Sequence, residues 1–250
     1  MKVPSKVDPC PIHEAVMEVR FDSGFPEEAI FGIIYQQLNA DDFEQAISLP
    51  VISLPKDIRI AHPGLKYQPH YRLVSKNNDR ILQIGPNVFS FAVTNTYPGW
   101  KSFLHDIKEM LERLNSSKTV KVITRMALRY LNFFEFDILS LSNLNFQLIG
   151  ENQPINLLEK NMSFKIDIPE GEFNNTLTLN NNAIIQKEGV PISGTLIDID
   201  TYFEAPIVDF FERCEELLEK CHSSEKKLFF SLLPDDTSKI FKIVEYGGTR

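Results

Sequence analysis

No run of about 18 apolar residues occurs in this 250-residue chain, so no helix able to cross a bilayer is expected. Cysteine is scarce and odd in number: Cys10, Cys214 and Cys221, with no CxxC pair. Cys214 and Cys221 are seven residues apart on an expected helix, about 10 Å along its axis and too far to bridge. Reduced thiols and a cytoplasmic location are the corresponding expectations. The opening MKVPSKVDPCPIHEAV has no apolar segment of signal-peptide length. Basic residues are outnumbered, 26 Lys and Arg against 34 Asp and Glu, for a net charge of −8. Bulk attraction to nucleic acid or to an anionic membrane is therefore not favoured, because phosphate binding draws on clustered Lys and Arg. There is no glycine-rich strand–helix turn, no GxSxG elbow and no HxH or HExxH spacing, so no cofactor and no metal is indicated.

What is present is apolar bulk. Hydrophobic residues make up 43% of the chain and 19 of the residues are Phe, enough to bury a sizeable core and to argue against disorder. The residues HEAVMEVRF alternate, with Ala15, Met17, Val19 and Phe21 on one side and Glu14, Glu18 and Arg20 on the other, which reads as a half-buried strand. A helix follows, with Pro26 in its first turn, two acids at its positive end, and Ile30, Phe31, Ile34 and Leu38 as its stripe. The proline-broken segment around residues 49–72 reads as an edge strand and a long loop. Three short strands separated by turn residues then form a meander up to FSFAV. Pro98-Gly99 suits a tight turn with glycine at positive φ, leading into a helix with Trp100, Phe103, Leu104, Ile107, Leu111 and Leu114 on one face.

A long strand, TVKVITRMALRYLNFFEF, opens the second half, with Arg125 and Arg129 on one side. Short strands SFKIDI, FNNTLTLN and AIIQK, then GTLIDIDTYF, lead to a helix from about Pro206, followed by a separate short helix, SSEKKLFFSLL, and a loose tail. Shifting the first long helix by 107 residues lays its stripe on Ile207, Phe210, Phe211, Cys214, Leu218 and Cys221. The expected fold is α+β: mainly antiparallel sheets, long amphipathic helices on one face and the opposite face wet, with internal duplication of a strand–meander–helix unit. Residues 1–118 and 119–250 would be the two halves, packed as one globular unit.

The blocks CPIHEAVMEVRFD, LKYQPHYRL, LQIGPNVFSF, YPGWKSF, RMALRYLNFFE, GTLIDIDTYF and KKLFFSLL occur in this order and span nearly the whole chain. As a set they resemble a sporadically distributed prokaryotic family of about this length, whose activity is unassigned. The resemblance implies a variable genomic neighbourhood of the defence, mobile-element or toxin–antitoxin kind. It transfers no catalytic residue.

Asp198 and Asp200 lie two apart in a strand and share a face with Tyr202. Two such carboxylates suit Mg²⁺ or Mn²⁺ if a further ligand joins them, or they are simply the wet side of a strand. Arg125 and Arg129 either line an anion groove or pair with these acids in the same sheet. The loop AHPGLKYQPHYRL puts His70 and Tyr71 among several polar residues, either a recognition loop or a packed lid. Arg125, Arg129, His70, Tyr71 and Tyr202 are thus the binding candidates, and Asp198 and Asp200 the catalytic ones. With no nucleophile or cofactor pattern, the expected function is a non-catalytic protein-binding or assembly module, such as an antitoxin or defence accessory. Its partner would come from the same gene neighbourhood or be a second copy of the chain. The alternative is a divalent-metal-dependent enzyme acting on nucleic acid or a phosphoester through Asp198 and Asp200. A third option is an apolar ligand held between sheet and helix.

Overall fold

A computed structural model describes residues 4–38, 42–136, 138, 149–150, 153–154, 162–187, 189–233 and 240–246. The elements run β1 (Pro4–Asp8), β2 (Ile12–Ser23), α1 (Glu27–Tyr35), β3 (Ile47–Ser48), a 3-10 turn (Pro50–Ser53), α2 (Lys56–Ala61) and α3 (Pro63–Lys66). They continue with β4 (Tyr71–Val74), β5 (Arg80–Gly85), β6 (Val88–Thr94), α4 (Trp100–Ser116), β7 (Val120–Phe134), β8 (Ile149–Gly150) and β9 (Gln153–Pro154). The last are β10 (Ser163–Glu170), β11 (Phe173–Lys187), β12 (Val190–Phe203), α5 (Phe210–Leu232) and β13 (Lys242–Tyr246). The fold is α+β, with a nine-stranded antiparallel sheet in the order β10-β11-β12-β7-β2-β6-β5-β4-β3. Among the described residues no helix is long and apolar enough to cross a membrane.

The chain divides into two compact units. One holds Glu14–Leu128 and Tyr202–Cys221; the other holds Met1–His13, Arg129–Thr201 and His222–Arg250. Each unit takes segments from both halves of the sequence.

In the first unit, Met17, Val19 and Phe21 of β2, Leu73 of β4, Leu82 and Ile84 of β5, and Phe89 and Phe91 of β6 are buried. Helix α4 buries Phe103, Leu104, Ile107, Leu111 and Leu114 as its spacing requires, and also Asp106 and Met110. Phe103 stacks on Phe91 at 6.2 Å, and Tyr97 and Trp100 meet it edge-on. Gly99 precedes the helix at φ 89, the conformation that the Pro-Gly turn needs. β6 departs from the wet-face expectation: Val88 through Val93 are all buried, so both of its faces are covered. The proline-broken segment is not a plain loop either, since its prolines sit where helical turns begin, at Pro50, Pro55 and Pro63.

In the second unit, β10 pairs with β11 over eight residue pairs, and β1 pairs with β13, so Glu245 and Tyr246 are strand and not loose tail. A core forms from Phe134, Leu177, Leu179, Ile197, Ile199, Phe229, Leu232 and Phe241. Two expected breaks are absent. β11 runs through Asn180–Asn182 unbroken, with Met162 N donating to Asn181 Oδ1 at 2.7 Å. α5 is one helix to Leu232, while Ile207, expected inside it and part of the first unit, lies before it in an isolated bridge to Ile123.

Candidate functional site

On the side of β2 away from the core, alternation puts Glu18 and Arg20 next to each other. Arg20 Nε donates to Glu18 Oε1 at 2.9 Å, and Arg125 Nη1 of β7 donates to the same oxygen at 2.8 Å. The Arg125 guanidinium lies 4.4 Å over the ring of Tyr202, and that of Arg20 lies 4.6 Å over Tyr67. Arg125 is buried, so it is not a solvated strand residue. The structure therefore brings Arg125 and Tyr202 together, with Glu18 as the acid between two arginines.

Arg129 and Asp198 form a separate constellation in the other unit. Arg129 Nε and Nη2 donate to the two carboxylate oxygens at 2.8 and 2.6 Å, a bidentate pair. Asp198 is buried and Arg129 is half exposed. Both oxygens of Asp198, one of the two catalytic candidates, are thus taken by a cation of the same sheet. Asp200 is half-buried and also engaged. Among the described residues no three His, Cys, Asp or Glu side chains are grouped to hold a metal ion.

His70 and Tyr71 line a cleft of about 190 Å³ with Glu27, Phe31, Arg59 and Gly85. Glu27 stands in the first turn of α1, where the helix dipole favours an anion, and accepts from Arg59 at 2.6 Å. Arg59 Nη1 also lies 2.7 Å from His70 Nε2. Arginine has only donors, so Nε2 accepts and the ring proton sits on Nδ1. Burial first, then the Arg59 charge, holds the His70 pKa below its ordinary value. Its basic lone pair is spent, which removes it as a general base. Tyr71 stacks on Phe31 with ring centres 3.7 Å apart, closing one wall. At the floor, a Cβ on Gly85 would sit 2.8 Å from the Gln68 carbonyl oxygen, so only glycine admits that backbone.

Sequence alone did not single out Glu27, Arg59 or Glu18 as site residues. The alternation of β2 carried the signal for Glu18, but its link to Arg125 depends on strand neighbours far apart in the chain. No protein-family model matches the chain, and no curated protein matches it significantly.

Proposed function

We propose that this chain is a non-catalytic module that binds a protein partner, and that the partner docks on the arm from Glu44 to His70. The observation behind this is burial. No residue of that arm is buried, although it carries Ile47, Leu49, Val51, Ile52, Leu54, Ile58 and Ile60. Ile47, Ile58 and Ile60 are more than half exposed. A segment that keeps this much apolar side chain exposed is where an interaction site is sought first. The arm is nonetheless fixed in place, by Arg59 and Lys56 on Glu27 and by backbone bonds from Glu44 N to Val74 O and from His70 N to Ile84 O. A pre-set apolar surface avoids part of the ordering cost of binding.

The partner is a protein from the same gene neighbourhood, in keeping with the resemblance to the prokaryotic family and its defence or antitoxin settings. A second copy of the chain is the other occupant that the test distinguishes. The free thiols of Cys10, Cys214 and Cys221 agree with a cytoplasmic setting. The duplication belongs to the same proposal, supported by strand order: β2-β6-β5-β4 is echoed by β7-β12-β11-β10, and each meander is followed by a long helix. Metal-dependent phosphoester chemistry at Asp198 and Asp200 is disfavoured because Arg129 occupies both Asp198 oxygens.

Native co-purification from the source cells tests the reading, comparing the natural chain with an Ile58→Asp, Ile60→Asp variant. Both positions are exposed, so the variant should fold with stability changed by about 0.5 kcal/mol per site or less. A stoichiometric partner that is lost with the variant is expected. A natural chain that purifies alone with a monomeric mass would count against it.

A further inference from the structure

The register of the first unit sets four side chains in one transverse row. Arg72 of β4 is opposite Gln83 of β5, Gln83 is opposite Ser90 of β6, and Ser90 is opposite Glu18 of β2. All four point away from the core, since Leu73, Leu82, Phe91 and Val19 point into it. Neighbouring strands are about 4.8 Å apart, so the Arg72 side chain is long enough to reach over Gln83 towards Ser90.

The donors of this row are uncommitted. The Arg72 side chain makes no hydrogen bond or ion pair among the described residues, and its Nε is buried without an acceptor. Gln83 and Ser90 donate no side-chain hydrogen bond there either, and Ser90 is only 7% exposed. Arg20, diagonal to Ser90, spends Nε on Glu18 and keeps both terminal nitrogens. A buried charged donor without an acceptor is costly to keep, so such a cluster is stable where a ligand completes it. The one acid in the row, Glu18, is already neutralised by Arg20 and Arg125 and does not repel an anion.

We infer that Arg72, Gln83, Ser90 and Arg20 form a binding site for a phosphate group. Donors come from β4, β5, β6 and β2, a spread that suits the tetrahedral oxygens of a phosphate better than a flat carboxylate. The Arg72 and Arg20 guanidinium groups supply the positive charge and forked donors that suit a phosphate. The site is on the sheet and its inference does not depend on the partner at the 44–70 arm.

Calorimetric titration of the full chain with inorganic phosphate tests it, with acetate as the carboxylate arm. Saturable phosphate binding at one site per chain, and weaker heats with acetate, are expected. Arg72→Gln should weaken phosphate by about tenfold to a hundredfold. Arg213→Gln, which removes one exposed charge elsewhere, should leave affinity unchanged. Should Arg72→Gln fail to fold, Gln83→Met keeps the shape without the donor and should weaken phosphate by about threefold to tenfold. Absent phosphate heats, acetate binding as tightly as phosphate, an Arg213→Gln loss equal to that of Arg72→Gln, or unchanged affinity in Gln83→Met would each overturn the site.

Discussion

Glu225 and His222, three residues apart on α5, give the second unit its pH response. Burial pushes the Glu225 carboxyl up to about 8 and the His222 imidazole down to about 3. His222 shares a hydrogen bond with the Tyr130 hydroxyl at 3.2 Å in its neutral form. Between its ordinary 4.5 and about 8, folded Glu225 keeps a proton that the unfolded chain has lost, so stability falls as pH rises. Between about 3 and its ordinary 6.5, His222 binds its proton only when unfolded, so stability rises with pH. The two effects oppose each other from 4.5 to 6.5, and above that Glu225 is the one of the two that still acts. Urea unfolding should therefore show a loss of about 1 kcal/mol between pH 6.5 and pH 8, and Glu225→Gln should abolish most of it. An equal loss in Glu225→Gln would show that another group titrates. None of this was legible in the sequence, where CHSSEKK reads as a polar break. The Arg129–Asp198 pairing was within reach, because alternation alone puts both on exposed-type positions of neighbouring strands. The row from Arg72 to Glu18 was not, because facing residues are set by register, and a one-residue slip would reverse every side chain.

The helices were legible at the scale of elements where apolar spacing ran unbroken, as in α4 from Trp100 to Leu114. Elements were cut short where polar residues interrupted the pattern. In α5 those residues are absorbed by a buried network: Ser224 Oγ donates to Glu170 Oε2 at 3.1 Å, and Thr201 Oγ1 donates to Asn175 Oδ1 at 2.5 Å. Lys227 adds an ion pair to Glu170. In β11 the asparagines act as acceptors for backbone N–H groups and form no turn. Close approach of backbones sets a further constraint that composition does not reveal. A Cβ on Gly194 of β12 would overlap the Phe134 carbonyl oxygen of β7 and lie 2.8 Å from the Phe133 ring. Gly194→Ala should accordingly destabilise the chain by about 3 kcal/mol or more, read as a lowered urea midpoint. A midpoint within about 0.5 kcal/mol of the natural chain would mean that these strands are further apart than described.

At the scale of the whole molecule, polar chemistry is largely spent internally while apolar surface is left over. Asp198 is held by Arg129, Glu18 by two arginines, and the His70 lone pair by Arg59. The arm from Glu44 to His70 instead presents isoleucines outward from a fixed position. The α+β class and most strands could be read from alternation, but the two compact units could not, since each gathers segments from both ends of the sequence. The arm's role is tested most directly by hydrogen–deuterium exchange on the natively purified complex against the free chain. Protection concentrated in residues 44–70 is the expected result. Unchanged exchange across 44–70, with protection at another surface such as the β10 edge, would contradict it.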